Sequence, residues 1–511
     1  MRKSPICAGA LKPWVIALGV SLPGVSIEAA EQTRIHLALD HFIRSFDPRQ
    51  SVDANYRSLE ELIHCSLMTF DAEGRPVPGI AAQLPEWTSA QVLVVKVRDD
   101  MKFSDGTAVT ADDVASTWQS MLTDPSLARG ASFRQLTHVQ AQGKTVIFTL
   151  KKADASFPGK LALGILPAKL AKASSIESSK IPVCGPYSIK SRDADRIVLK
   201  KNPHYAGSLT PRFNEIEFRI VEDAKSRYAL LESGELDLVQ NGINNTAVKS
   251  LVKKNPQFVV IKRRGLNTTY LGFNRRDLLA GHPAVREAIA HAIDRQEIID
   301  NLLGGLATPA STLLPPDSAF HHSGLQPRPL NLVKAEKILE EAGFKKKSGT
   351  RLELSYKTTT DIKQINIAKA IAAQLKKIGI KIVVQPLESK TFDQDALHGR
   401  MQLWSLNWSE LRDPDALREA FSSQNAPPLG KNRGWYSNPK LDVLLEKGKI
   451  TNSPEQRTLI YQEAQELLDK DLPSIFLWHE DQFAVARRTL KGFTVHADGR
   501  YTALTQAFFD D

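Results

Sequence analysis

A chain of 511 residues with 42% hydrophobic and 24% charged side chains has an ordinary globular composition, enough for two or three domains, and this excludes a disordered protein. The formal net charge is +10, yet lysines and arginines are spread among acids and no basic run is longer than the three residues of Lys345-Lys346-Lys347. That run reads as a solvated face, so no nucleic-acid partner is expected.

Arg2, Lys3 and Lys12 surround the start of an apolar run over residues 14–22, and Ala29-Ala30 follows. This is the pattern of a secretory signal peptide over 1–30, too short for a comfortable membrane span. Cys7 precedes the apolar run, the wrong side for a lipoprotein cysteine. Export would leave Cys65 and Cys184, which either pair in an oxidising compartment or stay as two buried thiols. There is no Cys-x-x-Cys and no His-Glu-x-x-His, so no metal site and no cofactor is expected.

Residues 34–39 read as an opening strand and 56–68 as an amphipathic helix with Leu59, Leu62 and Ile63 on its apolar side. Residues 92–97 and 146–150 alternate as strands. Between them, Ser104-Asp105-Gly106 is a turn and Thr110 an N-cap. Asp112 and Asp113 sit in the first helical turn, where the dipole favours negative charge, and Val114 and Trp118 share a buried face. Ile216, Phe218 and Ile220 alternate, 224–232 is helical up to Gly234, and 236–239 returns as a strand, which makes a βαβ unit. Pro283 opens a helix with Val285, Ile289 and Ile293 as its stripe. Further helices are expected over 334–342, 365–378 and 453–468, with a strand at Ile380, Ile382 and Val384.

The wording of these segments carries more than their periodicity. Phe103-Ser104-Asp105-Gly106, then Thr110-Ala111-Asp112-Asp113-Val114, then Trp118, resemble the signature of the family 5 extracellular solute-binding proteins. Pro186-Tyr187 after Gly185 resembles that family's Gly-Thr-Gly-Pro-Tyr, with Cys184 departing from it, and Asn202-Pro203-His204-Tyr205 resembles Asn-Pro-x-Tyr. The resemblance covers nearly all of 31–511. It implies an α/β clamshell of two lobes, mixed sheets flanked by helices, with an extra small α/β subdomain in the first lobe. The expected division is lobe I over 31–270 with the subdomain at about 55–178, lobe II over 271–478, and a return to lobe I over 479–511. It also implies a periplasmic binding component of an ABC importer, which delivers a peptide or peptide-like solute to an inner-membrane permease; a monomer is the default expectation. A non-peptide solute on the same fold, such as a nickel complex, an oligosaccharide or an opine-like compound, stays open.

The resemblance places the solute near residues 403–415, which are similar to Gly-Trp-x-x-Asp-x-x-Asp-Pro. In peptide-binding relatives the first Asp of that motif meets the ligand's α-amino group. Counting back from Asp413-Pro414 puts Glu410 there, and counting on from Trp408 puts Leu411 there. Glu410 is favoured because a buried ammonium needs a carboxylate, with a solvated loop as its alternative. Asn407 stands where the family has Gly. Arg412 is a candidate for a ligand carboxylate, against pairing with Asp413 or Asp415. Trp408 is expected in the cleft wall and Trp404 in the core. Phe133 and Tyr436 fall where relatives place ligand-facing aromatics. His282 and His291 read as ordinary histidines before ligands. A secreted hydrolase is the remaining class: His479-Glu480-Asp481 is polar, but sequence neighbours do not make a triad, and there is no Gly-x-Ser-x-Gly elbow.

Overall fold

The computed structural model describes residues 34–510, so the signal peptide expected over 1–30 lies outside the described residues. Two long strands organise the molecule. Phe258–Phe273 and Ser474–Arg487 pair antiparallel from Phe258 opposite Arg487 to Gly272 opposite Ser474. The polar middle, Lys262-Arg263-Arg264-Gly265, interrupts the apolar alternation and hides the continuity of the first strand.

This ribbon sits inside an eleven-stranded sheet. On one side it meets Leu238–Gln240, then Arg34–Leu39, Glu215–Ile220, Arg196–Lys201 and Tyr187–Arg192. On the other it meets Leu403–Trp408, Leu352–Thr359 and Ile380–Leu387. The βαβ unit read from 216–239 is present. Glu215–Ile220 and Leu238–Gln240 both pair parallel with Arg34–Leu39, and Gly234 stops the intervening helix at φ 83°. A second such unit joins Leu352–Thr359 to Ile380–Leu387 through the helix Ile362–Lys376.

The strands on the two sides carry separate cores. Ile35, Leu37, Phe46, Tyr56, Leu59, Phe218 and Tyr501 belong to one, and Val285, Ile289, Ile293, Tyr356, Ile371 and Trp478 to the other. A third core lies under a four-stranded antiparallel sheet built from Glu86–Ser89, Val92–Lys96, Thr145–Leu150 and Leu136–Gln142. Its centre is Trp118, fully buried, with Phe148 edge-on at 5.5 Å between ring centroids. The molecule is a mixed α/β protein, with helices against its sheets.

The first helix is Ala54–Ile63, shorter than the expected 56–68. It stops because His64 is extended, the Ile63 carbonyl accepts from the Gly185 N–H at 2.9 Å, and Cys65 is tied to Cys184. Met68–Phe70 then runs as a strand against Pro76–Pro78. This helix packs on the first core, whereas the small sheet's core begins at Cys65. No helix among the described residues is long and apolar enough to cross a membrane.

Candidate functional site

Two adjoining cavities, of about 500 and 710 Å³, share Phe70, Gly159, Lys160, Ser409, Glu410 and Arg412. Their walls come from distant parts of the chain. One side is built from Arg57 on the first helix, Phe70, Arg129 and Lys160, with Asp498 and Arg500 from the C-terminal segment. The other is the loop that follows the strand Leu403–Trp408. At the rim the Ala155 N–H donates to the Lys449 carbonyl at 2.8 Å, which joins the small subdomain to the helix Pro439–Ile450. A further cavity of about 390 Å³, beside Cys65 and Tyr205, is lined only by residues of 61–209 and 494–506. Closure across the ribbon would not act on it, so the shared cleft is the better site.

The cleft is crossed by a chain of alternating charges. Arg57 Nη1 lies 2.7 Å from Glu410 Oε1, and Arg412 Nη1 lies 2.9 Å from Glu410 Oε2. Arg412 Nη2 reaches Asp498 Oδ2 at 3.1 Å, and Arg500 Nε reaches the same oxygen at 3.0 Å. Arg500 also pairs with Glu61, which accepts from the Thr502 hydroxyl at 3.0 Å. The Phe70 ring has the Arg412 guanidinium 4.6 Å and the Arg500 guanidinium 4.8 Å from its centroid. Asp498 has no exposed side-chain surface. Burial opposes its charge, but Arg500 and then Arg412 outweigh it and hold the carboxyl below its ordinary value. Burial likewise opposes the Arg500 charge, and Glu61 and Asp498 more than restore it.

Glu410 is therefore not a free carboxylate waiting for an ammonium. It is held by two guanidinium groups, with its backbone at φ 56° and its N–H donating to Asn267 Oδ1 at 3.1 Å. Leu411, the other alignment choice, is buried in an apolar core. Arg412 pairs with neither Asp413 nor Asp415, because those are taken. Arg457 grips Asp413 with two nitrogens at 2.9 and 2.7 Å, and Arg418 grips Asp415 with two at 2.8 Å. Asn407 donates to the Thr269 hydroxyl at 3.2 Å. Trp408 lines the larger cavity with the Lys431 ammonium 5.3 Å from its ring, and Trp404 is buried. A side chain at Gly272 would meet the Trp404 indole at 2.4 Å, so that strand position has to be glycine.

Of the two expected ligand-facing aromatics, Tyr436 lines neither cavity and Phe133 only the edge of one. Tyr436 is buried, and its hydroxyl donates to Asp471 at 2.7 Å with Phe421 edge-on against its ring. Phe133 reaches the edge of the smaller cavity, but its ring packs on Trp118 in the subdomain core. Both were drawn to the core by their apolar rings. His282 caps the helix Pro283–Ala292 by accepting from the Ala284 N–H, and His291 is buried. His479 is buried, with Nδ1 2.8 Å from the Thr268 hydroxyl, and desolvation pushes its imidazole down to about 3. Glu480 bonds to Thr269 and Lys363 instead of His479. Cys65 and Cys184 are joined, with sulfurs 2.01 Å apart. Among the described residues no group of three or more His, Cys, Asp or Glu is placed to hold a metal ion.

Arg57, Arg129, Lys160, Asp498 and Arg500 were missed from the sequence. Arg57 lies among the polar positions of an amphipathic helix, where nothing marks it out. Asp498-Gly499-Arg500 lies in a short polar stretch with no periodicity, and only its return to the cleft gives it meaning.

A ribbon joining two separately packed α/β halves, with a charged cleft between them, is the architecture of a two-lobed binding protein. The family model for bacterial extracellular solute-binding proteins, family 5 Middle, matches residues 75–427. The chain belongs to that family. It is 27% identical over 500 residues to the glutathione-binding protein GsiB of Escherichia coli K12, covering 95% of this chain and 96% of that one. Its fold is shared with two-lobed binding proteins of known structure. The oligopeptide-binding protein AppA from Bacillus subtilis, in complex with a nonapeptide, superposes with a TM-score of 0.72 at 23% identity, over 94% of this chain and 99% of AppA. NikA from Brucella suis, in complex with Fe(III)-EDTA, gives 0.83 at 20% identity, over 93% of this chain and all of NikA, at 100%.

Proposed function

We propose that the chain is the periplasmic substrate-binding subunit of an ABC importer, and that it captures a peptide-like solute in the interlobe cleft for an inner-membrane permease. The observation that carries this reading is the cleft itself: both halves of the molecule contribute charged side chains to one continuous space, beside a two-stranded ribbon suited to act as a hinge. Family membership and the near full-length similarity to a glutathione-binding protein make glutathione the first solute to try. In this reading the protein is a monomer, residues 1–30 are removed on export, the lobes divide near 270 and 478, and the solute leaves chemically unchanged.

A ligand that binds only the folded protein raises its stability, by about 2.7 kcal/mol at a hundredfold excess over Kd. Thermal unfolding with glutathione, di- to nonapeptides and a nickel–histidine complex is therefore the test. Stabilisation by glutathione or a peptide is expected. Stabilisation by the nickel complex alone, or by none of the three, would overturn the peptide-like reading. Mass spectrometry of the recovered ligand checks that nothing has been hydrolysed.

A further inference from the structure

We propose that Arg57 and Arg412 form the seat for a carboxylate of the solute, and that Glu410 is an internal occupant which the solute's carboxylate displaces. This rests on the reading that the solute enters the interlobe cleft.

The geometry of Glu410 is that of a bound ligand group. Its two oxygens go to two guanidinium groups, one on the first helix and one on the loop of the opposite wall. Both Glu410 and Arg57 keep solvent access, at 30% and 42% of the side chain, so exchange needs no unfolding. Arg412 is different. It is 19% exposed, and its second nitrogen stays on Asp498, which Arg500 also holds. When Glu410 moves away, the seat keeps its shape on the Arg412 side.

The backbone points the same way. Glu410 is in the left-handed region at φ 56°, a conformation that favours glycine and that a glutamate adopts only where other contacts hold it there. The Arg57 and Arg412 contacts are two of those. A solute that takes them over leaves the loop free to relax.

The two guanidinium groups around Glu410 favour an anionic ligand group. An ammonium approaching Glu410 also meets Arg57 and Arg412, whereas the other cations of the wall are already matched, Arg129 by Glu60 at 3.1 Å and Lys160 by Asp154 at 3.0 Å. A carboxylate approaching Arg57 meets two guanidinium groups, and can reproduce both of Glu410's charge-assisted bonds. The solute class is thus a small molecule with a free carboxylate, such as the C-terminus of a short peptide. The amine contact expected from the sequence is replaced by its charge opposite.

The test uses glutathione and its diethyl ester as probes, titrated calorimetrically into wild type, Glu410→Gln and Arg57→Gln, with melting curves to show that each variant folds. We expect Glu410→Gln to tighten glutathione severalfold, Arg57→Gln to weaken it by about tenfold or more, and the ester to lose affinity for all three. Weaker binding to Glu410→Gln would overturn the proposal and return Glu410 to the role of amine partner. Equal affinity in all three proteins would also overturn it, while leaving the importer reading intact. If wild type binds no glutathione, citrate and glutarate replace it in thermal shifts. Stabilisation of Glu410→Gln but not of Arg57→Gln then supports the seat, and stabilisation of neither overturns it.

Discussion

Between residues 102 and 118 the polar side chains bond mostly within the segment, with further bonds from the Leu166, Ala168 and Val183 N–H groups to Thr117, Asp113 and Ser104. Thr110 and Asp113 form a reciprocal capping box, the Thr110 N–H donating to Asp113 at 2.8 Å. Asp113 also accepts from the Ala168 N–H, and Thr117 donates to the Asp113 carbonyl at 2.8 Å. Gly106 turns the chain at φ 87°. Between 407 and 415 there are local pairs too, Glu410 with Arg412 and Asp415 with Arg418, but the polar side chains also reach far along the chain: Asn407 to Thr269, Glu410 to Arg57, Arg412 to Asp498, Asp413 to Arg457. The first segment folds a subdomain, and the second assembles a site from partners scattered over the chain. A segment satisfied mostly by near neighbours and its own half of the molecule identifies a fold; one whose partners come from both halves is where function can sit.

If this contrast holds, changes in the first segment cost stability without touching affinity. Trp118→Ala should remove about 3–5 kcal/mol, as large aromatic truncations in cores do, and leave the Kd of any bound solute unchanged. Urea unfolding and calorimetry on one preparation check both halves, and a large change in Kd would break the comparison. Asp498→Asn should cost about 3 kcal/mol, because Arg412 and Arg500 lose a buried counter-charge, and it should also weaken solute binding as Arg412 loses its anchor.

The same carboxylate sets a pH signature. Its value is depressed in the folded protein, so its contribution is complete above the unfolded carboxylate value and is lost as pH falls through the lower folded one. The stability gap between wild type and Asp498→Asn should be flat from pH 7 to about 5 and close below about 4. A gap that closes as pH rises instead would contradict the assignment. The smallest effect belongs to the cap: Thr110→Ala should cost about 1 kcal/mol, again with no change in affinity. An affinity change in that variant would mean the two segments are coupled.

The same contrast explains what could be read from sequence. The opening strand, the capped helix at Ala111–Thr123, the Val285–Ile289–Ile293 stripe and the glycine that ends a helix at 234 all follow from near-neighbour rules, and each is present. Of the stretch singled out from the sequence, Asn407, Trp408, Glu410, Arg412 and Asp413 do line the cleft, but their side-chain pairings were not legible. Glu410 looked like an anion awaiting a cation because its partner Arg57 lies 353 positions away and its neighbour's anchor, Asp498, another 88 beyond. Tyr436 failed for a related reason: an aromatic near a cleft in one dimension had its hydroxyl satisfied by Asp471 and its ring by the core.

The most direct measurement is a calorimetric titration of glutathione into wild type and Arg57→Gln side by side, at equal concentrations and with melting temperatures matched. A saturable one-to-one heat in wild type, weakened by about tenfold or more in the variant, is the predicted result. Saturable binding of the same strength in both proteins would contradict the claim that Arg57 seats the solute.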